Sequence, residues 1–324
     1  MKTKFAIGCL VQWYEIEVIE EYLDSLKDAI DYAKNKDVII DLTFITNQEL
    51  EQIDGADITD IIARWRKIIA SLNDKGYTVY DRFEYRLHTI ADYRRIFNTN
   101  YCDRVDVLIW GETDAILPKQ MFVVLNNLHQ MSLRNNNPKY LAFFGTCKMW
   151  DDTWKELEHP DFTDKPFYDK PEQFKPDHWW SLRYTMNKDE MNKINEKTDE
   201  LDVRVLPQHK FNGCGLVISS EVIKAGVNIP KSVFFVHEDS AFMQMTNKVL
   251  GNIPQYVIKN ILLVHNRKHP KKRMYVKGEI GETMQLQRES NEWYVKAHKM
   301  SEQNCYNLFN PQYKAYSWKD VLDN

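Results

Sequence analysis

The stretch "VDVLIWGETDAIL" (105–117) decides how this chain is read. Its first part, "VDVLI" (105–109), is short and apolar, which predicts a buried strand. Its second part, "WGETDAIL" (110–117), raises two carboxylates, Glu112 and Asp114, on the end of that strand. Alternate residues of a strand face the same side, so both anions approach one place. Close anions repel unless something positive sits between them. "GETD" is also good turn composition, so the pair by itself reads equally as a solvated turn.

Upstream of this junction, strands and helices alternate. "KFAIGCLV" (4–11) reads as a buried strand, and Ile16, Ile19, Leu23, Leu26, Ile30 and Ala33 then recur at steps of three and four, one face of a helix. "VIIDLTFI" (38–45) is β-branched and strand-like. A second helix carries Ile58, Ile61, Ile62, Trp65, Ile68, Ile69 and Leu72 on one side and ends near Gly76. "YTVY" (77–80) predicts a short strand and "TIADYRRIFN" (89–98) a helix. Downstream, Pro118 opens another helix at the first position, where proline is tolerated. The alternation predicts an α/β fold with a mostly parallel central sheet covered by helices on both faces. Such sheets bind ligands at the carboxyl ends of their strands, where "GETD" lies.

The character changes after "YLAFFGT" (140–146). Residues 150–182 are rich in proline, charge and aromatics without a clean period, and include Trp150, Trp154, Trp179 and Trp180. A loop that long is usually functional or disordered, and four tryptophans argue against disorder. "VRVLPQ" (203–208), "FNGCGLVIS" (211–219), "VFFVHEDSAFMQMT" (233–246) and "YVIKNILLVHNRKHPKKR" (256–273) follow, and residues 274–324 are polar and aromatic with little pattern.

Bulk properties bound the answer. The 324 residues carry 43 basic and 47 acidic side chains, a net charge of −4, which gives no reason to expect tight nucleic-acid binding. Five cysteines form no CxxC pair, which favours free thiols in a reducing compartment over a zinc knuckle. No apolar run approaches a membrane span, and "FAIGCLV" is too short for a signal peptide, so a cytoplasmic protein is expected.

Two further clusters bear on chemistry. In "VHEDSAF" (236–242), Glu238 and Asp239 lie between an apolar strand and an apparent helix. Asp239 or Ser240 could simply cap that helix; a carboxylate facing a cleft there could instead act as a general base. In "LLVHNRKHPKKR" (262–273), His265 ends a strand and is followed by Arg267 and Lys268, a combination suited to metal ligation beside phosphate neutralisation.

The order of these motifs resembles the glycosyltransferases of the GT-A fold, which use nucleotide-sugar donors. The resemblance rests on "FAIGCLV" (5–11), "ETD" (112–114), "FNGCG" (211–215), "HED" (237–239) and "VHNRK" (264–268), and covers roughly residues 4–270. Glu112 stands where that family usually has aspartate. The resemblance implies a GT-A domain over 1–270, with a nucleotide-sugar half (1–117) and an acceptor half (118–270), and a C-terminal extension (271–324). It implies Mn²⁺ or Mg²⁺ held by Asp114, Glu112 and His265 as the positive partner of the two anions. A nucleotide-sugar donor, UDP-glucose or UDP-galactose for preference, would meet Ala6, Gly8, Leu10, Arg94, Arg95, Glu112, Thr113, Asp114, Arg267 and Lys268. Asp239 is expected as the base of an inverting transfer, with Glu238 beside it. The acceptor stays open between a glycan, a protein and a modified DNA base. A retaining transferase, a metal-dependent nucleotidyltransferase and a non-catalytic nucleotide-sugar-binding protein are the alternatives. The loop 150–182 and the tail after 270 are expected to order over the donor as a lid.

Overall fold

A computed structural model describes residues 2–16, 18–35, 37–46, 58–146, 187–206, 213–265 and 291–323. The aromatic loop 150–182, Arg267 and Lys268 lie outside the described residues. The strands are β1 (Phe5–Gln12), β2 (Val38–Ile45), β3 (Thr78–Glu84), β4 (Val107–Trp110), β5 (Ala115–Ile116), β6 (Leu141–Thr146), β7 (Val203–Leu206), β8 (Val217–Ser219) and β9 (Gln255–His265). They form one sheet in the order β3-β2-β1-β4-β8-β6-β9-β5, with β7 on β9. β1–β4, β6 and β9 run one way, and β5, β7 and β8 the other. The α/β class and the mostly parallel sheet are those expected from the alternating pattern.

The two faces follow from the two-residue period of β1. Phe5, Ile7, Cys9 and Val11 point to a core shared with α1 (Val18–Ala33), α2 (Ile58–Asp74) and α4 (Met121–Arg134), where Leu26, Trp65, Leu72 and Leu125 are buried. Ala6 and Leu10 point the other way, towards α3 (Ile90–Tyr101) with its buried Tyr93, Phe97 and Tyr101. A Cβ on Gly8 would stand 2.6 Å from both the Phe97 ring and the Tyr93 hydroxyl, so glycine is what lets α3 lie this close to the strand. The helix begins at Thr89, whose hydroxyl accepts from the Asp92 amide in a capping box.

Several expectations are corrected. "GETD" is not strand: β4 stops at Trp110 and the acids sit in a turn closed by the Ala115 amide on the Glu112 carbonyl (3.0 Å). α4 starts at Met121, because a turn intervenes after Pro118. In "FNGCGLVIS" only Val217–Ser219 is strand among the described residues. "VFFV" (233–236) is an irregular segment whose polar backbone is satisfied by side chains rather than by a ladder. The tail holds two helices after α5 (Lys188–Asn195), α6 (Ser220–Lys224) and α7 (Glu238–Leu250), namely α8 (Glu292–Tyr306) and α9 (Trp318–Leu322). The buried face of α8 is Ala297, Ser301, Asn304 and Cys305, small or polar residues that hydropathy does not register. Among the described residues no helix is long and apolar enough to cross a membrane.

Candidate active site

The turn after β4 is placed by backbone before any side chain acts. The Gly111 amide donates to the Gly8 carbonyl at 2.7 Å, and a Cβ there would lie 2.3 Å from the Tyr22 hydroxyl. β5 then pairs with the end of β9, setting Ala115 opposite His265. The result is convergence: His265 Nε2 lies 3.0 Å from Asp114 Oδ1 and 3.1 Å from Glu112 Oε2. Asp114 and His265 are almost fully enclosed, whereas the Glu112 side chain keeps 26 % of its exposure. Thr113 is buried between the two acids.

On the other side of Glu112 is Arg94, from the buried face of α3. Its Nη2 meets Glu112 Oε1 at 2.9 Å and the Gly213 carbonyl at 3.1 Å, while its Nη1 meets Glu238 Oε1 at 2.5 Å. The guanidinium also lies over the Trp110 ring, 4.7 Å from its centroid, and Trp110 is itself held by a hydrogen bond from its Nε1 to Asn98 Oδ1. A Cβ at position 213 would come within 2.0 Å of Nη1, so the glycine of "FNGCG" makes room for this group. One arginine thus ties the end of β4, the approach to β8 and the start of α7 together.

The charges explain one another. Burial works against the charge on Arg94, but the carboxylates of Glu238 and Glu112 more than offset it and raise the guanidinium above its usual range. Burial also pushes against ionised Glu112, yet the hydrogen bond and charge of His265, with Arg94 behind, hold its carboxyl below the usual range. At Glu238 burial wins over Arg94 and, with Asp239 nearby, lifts the carboxyl to about 7.

Asp239 is the second residue of α7 and is half-buried. Its Oδ1 accepts from the Ser240 amide at 2.6 Å and faces the Ser240 hydroxyl at 3.3 Å. The helix N-cap is His237, in the left-handed region (φ 65°), and its side chain makes no capping bond. The cap considered for Asp239 is therefore not the one the structure builds.

Other expected residues are placed elsewhere. Ala6, Gly8 and Leu10 face α3, and the space above Gly8 is filled by Phe97 and Tyr93; the carboxyl end of β1 instead presents Gln12 and the short 3-10 turn Trp13–Glu15. Arg95 points away from the turn, to the carbonyls of Ile229, Pro230 and Val233 at 2.9–3.1 Å and to Asp92 at 2.8 Å, where it braces the loop before α7.

Sequence reasoning missed Cys214, whose thiol lies within 4.8 Å of donor atoms of both Glu112 and His265. "FNGCG" held the signal, since glycines on both sides mark a close approach of chain to chain. It also missed Asp41, fully buried in β2, which accepts from the hydroxyls of Tyr93 (2.9 Å) and Tyr101 (2.6 Å) and pairs with Arg82 at 3.0 Å. Glu112, Cys214 and His265 offer a carboxylate, a thiol and an imidazole whose donor atoms all lie within 4.8 Å of one another, a donor set that fits a divalent cation, and Asp114 reaches the same imidazole at 3.0 Å. Among the described residues Cys9, Cys102, Cys214 and Cys305 are buried and form no disulfide.

No family profile and no curated protein sequence matches the chain. Three crystal structures of TarS 1–349 from S. aureus are similar in course. The protein alone aligns with 9 % identity and a TM-score of 0.46 over 95 % of this chain and 72 % of that one. Its complex with UDP-GlcNAc aligns with 10 % identity and 0.47 over 98 % and 70 %, and its complex with UDP with 11 % and 0.45 over 95 % and 76 %. At these scores the likeness is one of general course, and the site stands on its own geometry.

Proposed function

We propose that the chain is a metal-dependent, inverting glycosyltransferase that moves a sugar from a nucleoside-diphosphate sugar, a UDP-hexose for preference, to an acceptor hydroxyl. The observation that carries this reading is the Arg94 bridge, which brings Glu112 and Glu238, and with them their chain neighbours Asp114 and Asp239, to one buried guanidinium. Two acidic clusters on opposite sides of a buried cation are what such a transfer needs: one to hold the leaving group, the other to take a proton.

Asp114, Glu112 and His265 would hold Mn²⁺ or Mg²⁺, which when bound supplies Lewis-acid neutralisation of the diphosphate. Asp239, with Oδ1 fixed by the Ser240 amide, takes the proton of the acceptor hydroxyl as that oxygen bonds to the anomeric carbon. The bond from that carbon to the diphosphate breaks with its electron pair. Glu238, held on Arg94, keeps the start of α7 in register with the turn at Glu112. The acceptor is proposed only as a hydroxyl on a glycan, a protein or a modified base.

Hydrolysis of a panel of UDP-sugars, measured with Mn²⁺ and with EDTA, tests the reading. Metal-stimulated release of UDP, abolished in Asp114→Asn, is the expected result, and full activity in EDTA would remove the metal. Asp239→Asn should lower transfer about a thousandfold with nucleotide affinity nearly intact. Retained turnover in that variant would exclude Asp239 as the base.

A further inference from the structure

The N-cap of α7 and one face of α8 together carry a second group of metal-binding side chains. His298 and Glu302 stand four residues apart on α8, so both project from one face of that helix. His237 arrives from the other element, and its Nε2 is 3.7 Å from Glu302 Oε1, with the His298 ring 5.3 Å away edge to face. Donor atoms of all three lie within 4.8 Å of one another. All three side chains are half-buried, so an ion can enter and a water can complete its shell.

We propose that His237, His298 and Glu302 form a zinc-class metal site that clamps α8 to the start of α7. Two imidazoles and one carboxylate are a recurring three-ligand set for Zn²⁺, which leaves the fourth tetrahedral position to solvent. Bonds of about 2.0 Å put tetrahedral ligands about 3.3 Å apart, so small rotations close the present separations. Nitrogen donors disfavour Mg²⁺, which takes oxygen.

The backbone around His237 is held for such a role. A histidine at φ 65° costs energy unless its surroundings insist on it. They do: Ser301, one residue before Glu302, donates to the Val236 carbonyl at 2.8 Å and accepts from the Phe235 and Val236 amides at 3.2 and 3.3 Å. The Ala241 amide donates to the His237 carbonyl at 2.9 Å, and the Cys305 thiol points to the same carbonyl. The site is independent of the chemistry assigned to Asp114 and His265.

Zn²⁺ titrated by calorimetry into the metal-stripped full chain, with melting temperature as a second reading, decides the matter. Wild type and Asp114→Asn should each bind Zn²⁺ at this site and melt higher for it. His298→Ala should lose that equivalent and the shift. Glu302→Gln should bind it at least about tenfold more weakly, since even outer-shell changes cost 10–100-fold. Melting in EDTA identifies a variant that merely misfolds; if His298→Ala does, Glu302→Gln decides. Zn²⁺ bound by both variants as by wild type, or no Zn²⁺ bound by Asp114→Asn, would overturn the site.

Discussion

The two acidic poles joined by Arg94 are built by different means. Glu112, Asp114 and His265 hang from strand ends, where β4 is paired on both sides and β5 locks onto β9. Glu238 and Asp239 follow an irregular loop, 228–236, whose carbonyls and amides are held by side chains from α3 and α8: Arg95, Thr89, Ser301 and Asn304. The first pole is fixed by many backbone bonds that no single substitution removes. The second depends on a handful of side chains, each replaceable. Rigidity at the Glu112–Asp114 pole and adjustability at the Glu238–Asp239 pole is the arrangement expected, under the proposed function, where one ligand is common and the other selected.

The group joining the poles should produce the largest effect. Arg94→Met leaves Glu112 and Glu238 enclosed without their cation, and breaking such a buried pair costs about 3–5 kcal/mol. Urea unfolding measures it, and a loss below 1 kcal/mol would mean the poles are not coupled through this residue.

Arg95→Ala comes next. It removes three charge-assisted bonds to loop carbonyls, for an expected loss of about 2–3 kcal/mol. Amide exchange should speed up over 229–240 and stay unchanged over 107–116. Equal acceleration of both would erase the distinction between the poles.

Ser301→Ala should cost about 1 kcal/mol, with the same local signature confined to 235–240. Thr89→Val is the smallest test. It removes the cap of α3 and the bond to the Phe234 carbonyl, for about 0.5–1 kcal/mol, read as a small fall in the urea midpoint.

The same contrast explains what was legible in the sequence. The β1–β4 half announces itself, because its strands are continuous apolar runs and its helices have wide apolar faces; Val38–Ile45 falls on the residues its β-branched run marks. Loop 228–236 does not. "VFFV" reads as strand because Phe234 and Phe235 are buried, yet what satisfies its backbone is Arg95 and Ser301, each about 65 residues or more away in sequence. Helix α8 was hidden because its inner face is serine, asparagine, alanine and cysteine. At the site, the residue types at 112, 114, 238 and 239 were readable from local motifs. The choice between Arg94 and Arg95 was not, since it depends on which side of α3 meets the sheet. Of the lid expected over 150–182 and the tail after 270, residues 150–182 and 271–290 fall outside the described residues, and residues 291–323 carry α8 and α9.

The order of strands also has a consequence for how the chain is made. β4 lies between β1, which precedes it, and β8, which is synthesised about a hundred residues later. At roughly 5–20 residues per second, a nascent chain carries β3-β2-β1-β4 with its β4 edge uncovered for on the order of ten seconds before Val217–Ser219 emerges. That edge is the apolar "VLIW" of β4, ready to pair with any strand that arrives first. During that interval the strand that later carries the Glu112–Asp114 turn is a sticky edge, and what shields it bears on the chain's yield.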